Sequence, residues 1–136
     1  MEYWHSLEIL VTCMLCGLIW TIQWVHYPSF AFIDRERFTN FHAWHGRRIG
    51  LLVVILMPLE LAAAVIAVEA APDQATWIGL SLVVLIWLST ALIQIPAHKK
   101  LAEGFDPDAH RRLVRGNWIR TVAWSARSLL VLDVFA

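Results

Sequence analysis

Long apolar runs separated by short charged stretches set the pattern of this chain. Residues 9–33, 49–68 and 74–97 hold one charge between them, Glu60, while all eleven Lys and Arg residues fall within 35–48 and 99–127. About 20 apolar residues in a helix cross the hydrocarbon of a bilayer, and a soluble chain of 136 residues has no interior for three such runs. The pattern therefore predicts an integral membrane protein. Two basic loops on one side require a fourth crossing, and residues 117–135 supply about the length it needs.

The expected fold is all-α: a four-helix transmembrane bundle in one domain over residues 1–136, with spans at about 7–27, 48–68, 76–97 and 117–135. The first span is expected to stop at Tyr27-Pro28, because a proline disfavours helical geometry in the residue before it. Phe30, Ile33, Phe38, Phe41 and Trp44 interleave with Asp34, Arg35, Glu36, Arg37 and Arg47, which predicts a short interfacial helix between spans one and two. Pro58 cannot donate to the Val54 carbonyl and is expected to bend the second span just before Glu60. Ala71-Pro72-Asp73 marks a turn, Pro96 the exit of the third span, and residues 109–115 an extension of helix four.

Composition and charge add an orientation. Hydrophobic residues make up 59% of the chain, so lipid is the expected solvent for most side chains. The net charge of zero hides an asymmetry, since Glu2, Glu8, Glu69, Asp73 and Asp133 lie in segments without Lys or Arg. The basic loops are expected in the cytoplasm and both termini outside an inner or plasma membrane. The first eight residues carry two acids and no Lys or Arg, and no small-residue cleavage site follows, so the first helix is expected to be retained. Trp4 and Trp77 fall near the outer boundary and Trp44 and Trp118 near the inner one, as interfacial anchors do.

Polar residues inside the spans carry the candidate chemistry. An ionisable group there costs several kcal/mol unless paired, and Glu60 and Arg127 reach similar depth, which makes them natural partners. Asn117, Arg120, Trp124 and Arg127 fall within an arc of about 80° on helix four. Trp87, Thr90, Gln94 and His98 share a face of helix three, and helix one adds Gln23 and His26. This convergence predicts a polar intramembrane cavity near the cytoplasmic side, with Trp20, Trp24, Trp87 and Trp124 as candidate aromatic walls. The plainer roles are interhelical hydrogen bonds, a register-fixing ion pair and aromatic packing bulk.

His26, His42, His45, His98 and His110 all fall on the expected cytoplasmic side. His42 and His45 have the i, i+3 spacing that suits a metal or haem, though a metal site needs three or four ligands; imidazoles also serve as general bases. Cys13 and Cys16 are a candidate dithiol or simply two small apolar residues.

The stretch Thr90-Ala-Leu-Ile-Gln94-Ile-Pro96-Ala-His98, with Asn117-Trp-Ile-Arg120-Thr121 after it, resembles the anthrone-oxygenase-like family of small four-helix membrane proteins. The likeness covers about the second half of the chain, and His98 stands where the family pattern has Asn. The resemblance implies oxidation of a reduced polycyclic phenolic substrate by dioxygen without an organic cofactor.

The functional expectation is a membrane-embedded, oxygenase-like oxidoreductase acting on a lipophilic aromatic or quinol-like substrate. His26, His98, Arg120, Gln94 and Glu60 are its catalytic candidates. Trp20, Gln23, Trp24, Trp87, Asn117, Trp124 and Arg127 are its substrate-binding candidates. Two alternatives stand beside it. One is a haem- or metal-binding electron-transfer protein that holds haem, iron or copper through His42 and His45; the other is a non-catalytic scaffold or carrier. Expected partners are the lipid bilayer, a lipophilic small molecule and a second copy of the chain, with no nucleic acid.

Overall fold

The computed structural model describes residues 2–133, and every regular element among them is helical. Four helices follow in order: α1 (Tyr3–Phe32), α2 (Arg35–Ala70), α3 (Gln74–Ala102) and α4 (Pro107–Val131). The first three are long and apolar enough to cross a membrane. Connections of two to four residues force sequential helices antiparallel, and each packs on the next until α4 closes the ring against α1. Residues 35–48 and 99–115 therefore meet at one end of the bundle, the basic end, and Glu8, Glu69, Asp73 and Asp133 lie towards the other, the acidic end. Phe135, the expected limit of the fourth span, lies outside the described residues.

Three local expectations need correction. The first helix runs past Tyr27-Pro28 to Phe32, and the third runs past Pro96 to Ala102. In each case a π-helical turn precedes the proline, Ile22–His26 in α1 and Thr90–Gln94 in α3. A π turn widens the helix by one residue and makes room for a proline ring without ending it. The Leu92 carbonyl, which Pro96 cannot serve, accepts instead from Arg112 Nη2 at 3.3 Å. No separate interfacial helix exists either. Residues 35–70 form a single 36-residue helix of about 54 Å, against about 30 Å of bilayer hydrocarbon, so the amphipathic segment is the end of α2 itself. Pro58 lies inside that helix, which continues through it.

Caps define the ends. Asp73 opens α3 by accepting from the Thr76 amide at 2.9 Å, while the Thr76 hydroxyl accepts from the Asp73 amide. Gly104 turns the chain between α3 and α4 at a φ of 144°, where a side chain is strained. Asp106 then caps α4 by accepting from the Ala109 amide at 2.7 Å.

The core runs along the bundle axis through Leu15, Ile19, Phe30, Ile86, Leu113 and Trp124, all buried. Large apolar side chains such as Leu51, Val54, Leu92 and Val122 point outwards and are exposed, as helices solvated by lipid allow. Where α4 meets the π turn of α3, Gly116 has no side chain for a reason of space: a Cβ there would collide with Ile93 Cγ2 and sit 3.4 Å from Gln94 Nε2.

Two predictions follow from these contacts. Gly116→Ala should destabilise the bundle by about 1–3 kcal/mol despite alanine's better helix propensity, measured by denaturation in detergent micelles. The Ala109 hydrogen bond, followed by the Lys100 ammonium at 3.3 Å, holds the Asp106 carboxyl below the usual carboxylate range. Its capping contribution is thus complete above about pH 4 and is lost as pH falls through the lowered folded value. The Ala109 amide resonance should report that loss, and Asp106→Asn should keep the cap while removing its pH dependence.

Candidate functional site

Two polar centres lie inside the bundle. The first is built on Arg127, 1% exposed, which reaches from α4 towards α1 and α2. Its Nε donates to Glu60 Oε1 at 3.1 Å and its Nη2 to Glu8 Oε1 at 2.7 Å. Glu60, fully buried, also accepts from Trp124 Nε1 at 2.9 and 3.1 Å and from Thr12 Oγ1 at 3.2 Å. Gly79 on α3 leaves the space that the guanidinium occupies, for a Cβ there would lie 2.6 Å from Arg127 Nη1. All four helices thus meet at one cation. The expected Glu60–Arg127 contact is present, but it is one of two carboxylate contacts to Arg127; the second, from Glu8, completes a triangle of charged side chains that the sequence alone does not single out.

The second centre is a cavity of 440 Å³ in the half nearer the basic end. Tyr27, His42, His45, Gln94, His98 and Arg120 line it. The π turns of α1 and α3 both border this space, through Ile22 in one and Thr90 and Gln94 in the other. A continuous chain of hydrogen bonds crosses its wall: Tyr27 Oη and His98 Nε2 are 3.1 Å apart, and His98 Nδ1 and His42 Nε2 are 2.9 Å apart. Each imidazole can donate through one nitrogen and accept through the other, so this chain can run in either direction. Gln94, 2% exposed, has no protein partner for either side-chain Nε2 or Oε1, and Arg120, 4% exposed, has none for Nε. Buried polar atoms without partners are rare and point to something else that satisfies them. The Arg120 guanidinium lies beside the Tyr27 hydroxyl and 5.2 Å from the ring centre of Trp124.

The sequence candidates divide between these centres and the surface. Of the catalytic set, His98, Arg120 and Gln94 come together at the cavity. His26 stands behind it, its ring 5.2 Å from that of His45. Glu60 is not at the cavity, because Trp124 lies between it and Arg120. Among the substrate-binding candidates, Gln23 and Asn117 form a bracket between α1 and α4: Asn117 Nδ2 donates to Gln23 Oε1 at 2.9 Å, and Gln23 Nε2 donates to the Val114 carbonyl at 3.2 Å. Trp124 and Arg127 belong to the first centre.

Trp20, Trp24 and Trp87 do not wall the cavity. Trp20 and Trp24 stack at 6.5 Å on an outer face, with Trp118 edge-on to both and Trp24 66% exposed; Trp87 is 38% exposed. His42 and His45 share the cavity wall, yet no group of three or more His, Cys, Asp or Glu side chains among the described residues is arranged to hold a metal ion. Phe30 packs against the rings of His42, His45 and His110, so those imidazoles are also part of the aromatic core. Cys13 and Cys16 are free thiols, half-buried on α1.

No protein family, curated protein or solved structure matches the chain.

The Arg127 triangle makes an asymmetric prediction. Arg127→Gln strands two buried carboxylates and should cost about 3–5 kcal/mol, whereas Glu60→Gln leaves the Glu8 contact in place and should cost about 1–3 kcal/mol. Chemical denaturation of the two variants in micelles measures the difference, and equal losses would show that Glu8 does not share the cation.

Proposed function

We propose that the chain is a four-helix integral membrane protein whose histidine-lined cavity is an oxygenase-like oxidoreductase site for a lipophilic aromatic or quinol-like substrate. In this reading the basic loops face the cytoplasm and the Ala71–Asp73 turn faces outside. The observation that carries it is the set of unpartnered buried atoms, Gln94 Nε2 and Oε1 and Arg120 Nε, beside a chain of imidazoles. A neutral apolar guest would leave them unsatisfied. A guest with a carbonyl or phenolic oxygen would pair with them once the Gln94 and Arg120 side chains turn towards the cavity they line, and would place that oxygen against a guanidinium.

The chemistry then follows from charge. Removing a proton from a reduced phenolic ring system produces an enolate-like oxygen, which Arg120 and Gln94 stabilise, while the Tyr27–His98–His42 chain carries the proton away. Dioxygen, concentrated in lipid, is the oxidant: conversion of a ring methylene to a carbonyl consumes one dioxygen and releases one water. The resemblance to anthrone oxygenases agrees with this substrate class.

Oxygen uptake by the purified protein with an anthrone as probe tests the proposal. His98→Ala and Arg120→Ala should each lower the rate about a hundredfold with helical content unchanged, and Gln94→Ala should raise KM more than it lowers kcat. Absence of uptake, with no lipophilic molecule co-purifying, would overturn it. Orientation is tested separately in a variant lacking Cys13 and Cys16: Gln74→Cys should react with an impermeant thiol reagent outside intact cells, and Glu103→Cys should not.

A further inference from the structure

A second cavity, of 360 Å³, opens at the acidic end with the Arg127 triangle at its base. Its walls are mostly short apolar side chains, among them Ala63, Ala67 and Ala70 of α2, with Ile66 and Leu130. The ionisable residues that line it are Glu8, Arg127, Asp133 and His5, and Glu60 lies directly behind Arg127. Of the lining groups, the two carboxyl groups of Glu8 and Asp133 stand against one guanidinium, so the formal charge of the cavity wall is negative.

The two carboxylates of the triangle differ in their freedom. Glu60 accepts from Thr12, Trp124 and Arg127 and is held by donors on both oxygens. Glu8 is about nine-tenths buried and accepts through Oε1 from Arg127, while its Oε2 has the exposed His5 Nδ1, 3.9 Å away, as its ionisable neighbour. The excess charge therefore resides where the cavity can reach it. Trp4 also lines the cavity, and an indole is the aromatic group that best attracts a cation.

We propose that this cavity binds a small lipophilic organic cation, with its ammonium group on Glu8 and its apolar body against the alanine wall. An anion would meet Glu8 and Asp133, and a hydrated metal ion would leave the apolar wall unused. An apolar body with one positive charge matches both halves of the site. The space itself depends on alanine at these positions, so a larger side chain there removes the site without touching its charges.

Isothermal titration of the full chain in non-ionic micelles with benzyltrimethylammonium tests the assignment. Saturable one-to-one binding is expected, weakened about tenfold or more by Glu8→Gln and by Ala67→Leu and unaffected by His98→Ala, which alters only the other cavity. Neopentylbenzene, the uncharged analogue of the same shape, should not compete. Circular dichroism identifies which variants fold, and Ala67→Leu retains every charge, so the test does not depend on the stability of Glu8→Gln. Lack of saturable binding to the unaltered chain overturns the proposal. So does undiminished binding in a folded Glu8→Gln or Ala67→Leu, or equal binding of the uncharged analogue.

Discussion

A single guanidinium organises the bundle. Arg127 is buried, so its donors are satisfied chiefly by the protein, and the two acids that pair with it come from different helices. Glu60 brings α2 to it and Glu8 brings α1, while Gly79 lets α3 come close enough to cover it. The outward faces of these helices are apolar all round and select no rotation, because a leucine facing lipid and a leucine facing another helix differ little in free energy. A charge in hydrocarbon does select one. Rotating α1, α2 or α4 by one residue, about 100°, would carry a charged group out of the triangle and into lipid or the apolar core.

That difference in selectivity explains what the sequence made legible. Helix count and the Glu60–Arg127 contact follow from where charge is allowed, and charge is what a sequence displays most clearly. Glu8 was legible in principle: Glu8, Thr12, Leu15 and Ile19 repeat at intervals of four, three and four residues and share one buried face of α1. Its place near the start of the chain, among other acids, disguised it as an end residue. The tryptophans were not legible. Trp20 and Trp24 share a face by spacing, but a helix that is apolar all round gives no signal to say whether that face looks inwards or outwards, and here it looks outwards.

The prolines misled for a different reason. Pro28 and Pro96 each remove one backbone donor, and in an isolated helix that loss ends the run. Within this bundle the preceding turn takes up the strain as a π segment, which packing against α4 holds in place. Each segment adds a residue to one turn, so it shifts the helical faces on its far side and opens the helix where the cavity lies. Gly116 is the matching feature on α4, because its missing side chain leaves the space into which Ile93 and Gln94 bulge. The site near the basic end is thus a consequence of two helices that accommodate proline rather than stop at it.

Trp124 connects the two polar centres. Its indole N–H is committed to Glu60, which fixes the plane of the ring, and the guanidinium of Arg120 lies near the ring centre one helical turn away. The carboxylate that neutralises Arg127 therefore also orients the surface on which Arg120 rests. Arg120 is left with an unpartnered Nε at the edge of a cavity, a costly arrangement that persists only if the surrounding structure holds it. The indole supplies that hold from one side and Tyr27 from the other. The ionic cluster at one end thereby sets the geometry of the histidine cavity at the other through one shared side chain, and the stability of the first is a condition for the arrangement of the second.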